Sequence, residues 1–411
     1  MSSHDFYEIQ ELNMTPQPQT RRKPRARHAW TLVLGAAMLS ALALVLAVPS
    51  GAADGVLGAL QAMPPAAAGS GPALLRDRRL AFREPVASAP ALNSTASSAP
   101  SASNGPAANA LLPGAVQPAA WSEHRIATPD GSLAYASMGQ GPVLVVLPGG
   151  PGGSGYGLRR WFRVLAQEHT VVVLDNIGRG RSARLADPSR YTVERDAEDV
   201  ERLRRHLGVA TLAVYGHSYG GLVAQAYASR YPQAVDHLVL GNTLHGARSW
   251  QAQIDHFEAQ LQRHHPERWQ ALQTLREQGL LGEAFAPLYW ADRAASHPKA
   301  APSGDPRDAL NLDVYRAMLG PDPERRVGGT LAGVELLPRL KAVSAPTLLL
   351  TGRYDPVAPP QVLNEMREAL GPQARAETEV FEQSGHRPFI EQGAAWAARV
   401  QAFLRSPAAQ R

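Results

Sequence analysis

The stretch Val214–Gly221 reads VYGHSYGG, with Ser218 flanked by glycines two residues to either side. A serine hydroxyl is a weak nucleophile. It needs a base to take its proton, and the base needs an acid to orient it. The G-x-S-x-G spacing serves such chemistry when it falls between a strand and a helix. Glycines at 216 and 220 leave room for a bend too tight for side chains, and the serine then stands above the sheet edge. The next backbone N–H is free to meet a developing oxyanion. Here the apolar run TLAVY precedes the bend, and YGGLVAQAYASRYP, a helical pattern, follows it.

The acid and the base should come later, in the order Asp or Glu and then His. LLLTGRYDPVAP places Asp355 just past an apolar strand run, and FEQSGHRPF places His386 in a loop after the next strand. An aspartate before proline is also ordinary turn chemistry, so order and position single out Asp355, not residue type alone. A second oxyanion donor is expected in LPGGPGG, Leu147–Gly153, where glycines let the backbone approach a substrate closely. The expected donors are the N–H groups of Gly150 and Tyr219. His217, inside the bend, is read as its support. His264 and His265 lack metal-ligand spacing and no His-Glu-x-x-His pattern occurs, so neither a metal nor another cofactor is expected.

These residues need a rigid carrier. From Trp121 onward, short apolar runs (GPVLVVLPGG, HTVVVLDN, TLAVYGHS, VDHLVLGN, APTLLLTG) alternate with helical segments. That pattern predicts an α/β domain with a mostly parallel sheet and helices on both faces. One helix is expected after Thr192 as N-cap, with apolar residues at Val193, Ala197, Val200, Leu203 and Leu207 and a stop at Gly208. Others are expected around Gln361–Leu370 and over Ala394–Leu404. From about residue 243 to 337 the strand signal stops, which predicts an inserted helical cap over the sheet's carboxyl edge, where such sheets bind ligands.

The chain has 411 residues, no cysteine and a formal net charge of +5. Disulfides, thiolate catalysis and cysteine metal sites are therefore excluded. The positive excess is local to the N-terminal third, in RRKPRAR at Arg21–Arg27 and in four arginines between Arg76 and Arg83. Nucleic acid is accordingly not an expected partner. Trp30–Val48 holds 19 residues without a charge. As a helix it would be about 28 Å long, near the roughly 30 Å hydrocarbon core of a bilayer. The basic cluster before it marks the cytoplasmic side. Residues 1–29 thus read as a basic cytoplasmic leader, and 30–48 as a transmembrane signal anchor or the apolar part of a cleavable signal peptide. Residues 49–120, rich in Ala, Pro and Ser, read as a disordered linker, and 121–411 as the folded domain. The domain would lie outside the cytoplasm, tethered to the membrane, or secreted if the leader is cleaved. The oligomeric state is left open.

From about Trp121 to its end, the chain resembles the α/β-hydrolase fold, and within it is similar to the proline iminopeptidase (prolyl aminopeptidase) family of serine peptidases. The family's HGGPGG loop corresponds to PGGPGG at Pro148–Gly153, and its Asp-x-x-Gly-x-Gly-x-Ser stretch to DNIGRGRS at Asp175–Ser182. The elbow at Gly216–Gly220 and GRYD at Gly352–Asp355 also match. The resemblance implies hydrolysis of a small peptide at its N-terminal residue, often proline, through an acyl-enzyme. The chain also departs from the family. Pro148 stands where the family has histidine, and LVLGN at Leu238–Asn242 replaces the usual Leu-Arg-Gly. The Trp-x-x-Trp-Glu motif, whose glutamate takes the substrate's free amine, is missing. None of the cap carboxylates Asp255, Glu258, Glu267, Glu277 and Glu283 can be mapped onto that glutamate. Two alternatives stay open: an ester or lactone substrate on the same machinery, and a tethered binding protein that has lost catalysis, against which the complete Ser–Asp–His set argues.

Overall fold

A computed structural model describes residues 120–264, 266–277, 289–291, 304–323 and 325–408. The leader, the apolar segment and all but the last residue of the linker lie outside the described residues, as do His265 and Glu283. Among the described residues no helix is long and apolar enough to cross a membrane.

The described chain builds an eight-stranded sheet in the order β1-β2-β4-β3-β5-β6-β7-β8. The strands are β1 (Ser122–Thr128), β2 (Gly131–Met138), β3 (Val143–Leu147), β4 (Thr170–Asp175), β5 (Leu212–His217), β6 (Val235–Gly241), β7 (Thr347–Gly352) and β8 (Glu377–Phe381). From β4 to β8 every neighbouring pair is parallel. The inner parallel strands are mostly apolar because both faces are covered, and β5 and β7 are buried throughout, whereas the edge strand β8 (Glu-Thr-Glu-Val-Phe) is exposed or half-buried up to its last residue. Alternate residues feed two cores. Val145, Val214 and Leu349 face one, with α2 (Val193–His206), α3 (Tyr219–Arg230) and α8 (Pro360–Ala369). Val146, Tyr215 and Leu348 face the other, with α1 (Tyr156–Phe162) and α10 (Gly393–Leu404). There Trp396 is wholly buried and donates its indole N–H to the Tyr215 hydroxyl at 3.1 Å.

The β1–β2 hairpin and helix α1 were not in the sequence expectation. β1 and β2 form an antiparallel hairpin at the sheet edge, and β2 runs antiparallel to β4. Its turn, Thr-Pro-Asp-Gly, puts Gly131 at φ 112°, a conformation that favours glycine.

Helix α2 matches its sequence signals. The Thr192 side chain accepts the Arg195 N–H, acidic residues occupy the first turn and Arg204, Arg205 and His206 the last. Between β6 and β7 the described residues form helices and no ladder strand: α4 (Ala247–His264), α5 (Pro266–Glu277), α6 (Leu312–Leu319) and α7 (Leu337–Leu340). The two stems of this insertion are clamped together. Gly246 bridges Glu335, Ala247 N–H donates to Val334 and Leu336 N–H to His245.

Glu201 ties α2 to α3. Its carboxylate accepts from Arg204, Arg205 and the Tyr227 hydroxyl. The Arg204 hydrogen bond above all brings its pKa from 4.5 down to about 2. A carboxylate depressed in the folded state stabilises the fold above the unfolded value, and that contribution is lost as pH falls through the folded one. Glu201→Gln should therefore flatten the decline in unfolding free energy between pH 4.5 and about 2. Urea titrations at several pH values across this window would measure it. A decline as steep as in the unmodified chain would contradict this role.

Candidate active site

Four neighbouring parallel strands, β5 to β8, deliver the expected Ser218, Asp355 and His386, and with them Asn242, to one sheet edge. Ser218 follows β5, Asn242 follows β6, Asp355 lies just past β7 and His386 lies in the loop after β8.

Ser218 has φ 54° and ψ −123°, and α3 starts at the next residue. Such a backbone costs of order 1–3 kcal/mol in a non-glycine residue and persists only where the surroundings hold it. Here its N–H donates to the Gly241 carbonyl at 3.0 Å, and its own carbonyl accepts from Gly221 N–H and the Thr243 hydroxyl. The bend closes on its glycines. A Cβ at Gly216 would lie 2.4 Å from the Gly220 carbonyl oxygen, and one at Gly220 would lie 2.2 Å from that of Leu147. Tyr219 opens the helix, so its N–H has no acceptor within the helix.

The glycine loop after β3 lies directly against this bend. A Cβ on Gly149 would come within 2.9 Å of the Ser218 Cβ and 3.3 Å of its Oγ. Gly150 comes next, at φ 112°. A buried polar cluster fixes the loop. Arg179 Nε donates to the Pro151 carbonyl at 2.6 Å, and its other nitrogens grip both Asp196 oxygens at 2.8 Å. Tyr219 donates its hydroxyl to Asp196 at 2.5 Å. One carboxylate thus connects the loop carrying Gly150 to the residue that follows the serine. On the far side of the loop, Asn311 N–H donates to the Gly152 carbonyl at 2.9 Å, which ties it to the start of α6.

His386 Nδ1 lies 3.0 Å from each oxygen of Asp355. The aspartate is fully buried. Burial alone would raise its pKa, yet His386, Asn242 and the Val357 N–H together hold it below the ordinary carboxylate value. It is therefore an anion, and an imidazole that donates Nδ1–H to it keeps Nε2 in the acceptor tautomer a base requires. The histidine loop is braced at several points. Gly385 N–H donates to Glu391, Tyr354 N–H to the Ser384 carbonyl, and His386 N–H to the Tyr289 carbonyl at 2.7 Å. His217 packs its ring 4.9 Å from that of His386 and 5.1 Å from Phe389. Burial first, then electrostatic repulsion from His386 and Arg387, pushes the His217 pKa well below the ordinary histidine value. His217 is thus a neutral support beneath the site.

Four contributors escaped the sequence reading. Gly149, not only Gly150, adjoins the serine. Arg179 and Asp196 looked like a loop residue and a helix residue. Asn242 was noted only as a departure, but it donates Nδ2 to Asp355 at 2.8 Å and stands at φ 54°. The positive φ, which asparagine adopts more readily than most residues, shows only in the structure.

Residues 142–392 match the alpha/beta hydrolase fold family. A proline iminopeptidase of Heyndrickxia coagulans is 28% identical over 282 residues, covering 66% of this chain and 93% of the relative. Another, from Lactiplantibacillus plantarum, is 30% identical over 271 residues, or 64% and 91% of the two chains. Among solved structures, a proline iminopeptidase of Mycobacterium smegmatis aligns with a TM-score of 0.58 at 24% identity, covering 69% of this chain and 97% of that one. The protein VinJ aligns at 0.59 and 24% identity, covering 70% and 99%. These two likenesses bear on the fold.

Asn242→Gly keeps the left-handed backbone and removes the donor to Asp355. A hydrogen bond to a charged group is worth about 1.5–3 kcal/mol, or roughly ten- to a hundredfold in rate. A loss of that size in kcat/KM, with unchanged circular dichroism, is expected. Unchanged kinetics would show that Asn242 does not help to hold the acid.

Proposed function

We propose, for a chain that belongs to the α/β-hydrolase fold family and to its proline iminopeptidase-like branch, that it releases the N-terminal residue of small peptides through an acyl-enzyme on Ser218. The observation that carries this reading is the buried, ionised Asp355 bonded to His386 Nδ1, at the same sheet edge as a serine held in a strained bend.

The steps follow from that arrangement. His386 takes the Ser218 proton as the oxygen attacks the scissile carbonyl. Asp355 keeps the imidazole in the right tautomer and stabilises the imidazolium that forms. The N–H groups of Gly150 and Tyr219 receive the oxyanion, each such donor being worth roughly 3–4 kcal/mol in the transition state. His386 then protonates the leaving amine. Water enters, loses its proton to the same imidazole and frees the acid.

The choice of a peptide substrate is supported by the proline iminopeptidases to which the chain is similar. A carboxylesterase or lactonase is the second reading. It is favoured by Pro148 in place of the family's histidine and by the missing cap motif for a free amine. The complete Ser218, Asp355 and His386 set argues against the third, an inactive tethered binding protein. The uncharged Trp30–Val48 segment and the basic residues before it support a membrane tether with the hydrolase domain outside the cytoplasm.

The test uses the full chain beside Ser218→Ala, on proline, alanine and leucine p-nitroanilides and on short p-nitrophenyl esters. Cleavage of free-amine anilides, lost on N-acetylation and reduced by at least about 10⁴-fold in Ser218→Ala, is the expected result. Cleavage of esters alone would move the substrate to the second reading, and wild-type rates in a folded Ser218→Ala protein would remove the nucleophile assignment. In cells expressing the full chain, recovery in the membrane fraction is expected, and recovery of the unprocessed chain as soluble protein would contradict the tether.

A further inference from the structure

Arg387 follows His386 directly and caps the short helix α9 (Pro388–Glu391). Its guanidinium carbon lies 5.2 Å from the ring centroid of Trp290. Tyr289, the neighbour of Trp290, places its ring 5.2 Å from the His386 ring and its carbonyl on the His386 N–H. The guanidinium, the two aromatic residues and the imidazole thus belong to one cluster, built from the cap insertion and the histidine loop.

Arg387 differs from the other buried or half-buried arginines of this domain. Arg179, Arg181, Arg195 and Arg204 each hold a carboxylate. No carboxylate or carbonyl of the described residues accepts a hydrogen bond from Arg387. Glu391, on the same helix, has its two oxygens on the N–H groups of Ala291 and Gly385. Burial meanwhile pulls the Arg387 pKa below the ordinary arginine value, against the weaker pull of Tyr289 and Glu391. A half-buried cation with no hydrogen-bonded anion among the described residues is costly, and an aromatic face returns only part of that cost. Buried polar groups left unmatched in an otherwise well-paired protein are expected where function demands them.

We propose that Arg387 binds a free carboxylate on the leaving half of the substrate, as in a dipeptide whose C-terminal carboxylate directly follows the scissile bond. In a dipeptide that carboxylate is two bonds from the scissile nitrogen, and the nitrogen takes its proton from His386 in the proposed mechanism. The residue next to His386 is therefore placed to meet it. A guanidinium seated over an aromatic ring keeps its in-plane N–H donors available, and their fork matches a carboxylate in two parallel hydrogen bonds. The same carboxylate offsets the repulsion between Arg387 and the imidazolium formed at His386 during the reaction.

The identity of the leaving half rests on the peptide-cleaving reading, so the test carries an ester arm beside the peptide arm. The full chain is assayed on prolyl-alanine and prolyl-alaninamide, and on the acetyl esters of glycolic acid and glycolamide. Each pair differs only in the charge of the leaving half. The free acid should be preferred in kcat/KM by about 10- to 100-fold, the scale of a charge-assisted pair. In Arg387→Met that ratio should collapse toward one, and in Arg387→Lys part of it should return. A ratio near one in the unmodified chain, or a ratio that survives Arg387→Met, overturns the proposal. Hydrolysis of the esters but of neither peptide would remove the aminopeptidase reading, and the ester ratio would still decide the role of Arg387. Should Arg387→Met not fold, the ratio in the unmodified chain and its reduction in Arg387→Lys decide it.

Discussion

A serine held at φ 54° and ψ −123° between a strand and a helix is the constraint around which this domain is arranged. The conformation is unfavourable in isolation, so its neighbours must hold it. The bend requires glycine at 216 and 220, since a Cβ at either would strike backbone. It requires the Gly241 carbonyl at the end of β6 to receive the serine N–H, and Thr243 to fix the serine carbonyl. A parallel sheet covered on both faces meets these demands, because it ends its strands on one edge and keeps them rigid. The reactive residues are then supplied by loops at that edge, and the helices behind them serve packing.

Two buried polar groups organise the rest of the edge. Asp355 is an anion because His386, Asn242 and a backbone N–H outweigh the cost of its burial. Asp196 connects Arg179, and through it the Pro151 carbonyl, to the Tyr219 hydroxyl. The first carboxylate orients the base. The second couples the glycine loop to the residue after the serine, so that the two N–H groups proposed to receive the oxyanion share one brace. Removing either partner of such a buried pair leaves a charge without compensation, which makes both clusters parts of the fold as much as of the site.

The sequence made some of this legible and hid the rest for identifiable reasons. Ser218, Asp355, His386 and the glycine loop stood out because nucleophile chemistry needs those residue types, in that order, at strand ends. The capping of α2 by Thr192 and its end at Gly208 were local signals that tertiary packing did not override. The β1–β2 hairpin was missed although Thr-Pro-Asp-Gly marks its turn. β2 is buried at Leu133, Ala134, Tyr135 and Ala136 in succession, so it lacks the alternation by which a hairpin strand is recognised. Asn242 and Arg179 were illegible for a different reason. Each acquires its part only from residues far away in the chain, and a single polar residue at a strand end or in a loop carries no pattern. The leader and linker, read from charge and composition alone, stand outside the described residues.

In the proposed function the chemistry and the selectivity of the site come from different parts of the chain. Ser218, Asp355 and His386, after β5, β7 and β8, are the residues proposed to carry the reaction, while the insertion between β6 and β7 brings Tyr289 and Trp290 to the histidine loop. The central claim is that Ser218 is the nucleophile activated by His386. Its most direct measurement is to treat the full chain with diisopropyl fluorophosphate and locate the adduct by mass spectrometry of the digested protein. One phosphoryl group per chain, on Ser218 and absent when His386 is replaced by alanine, is the result predicted. A folded protein that takes no label, or takes it at another residue, would contradict the account.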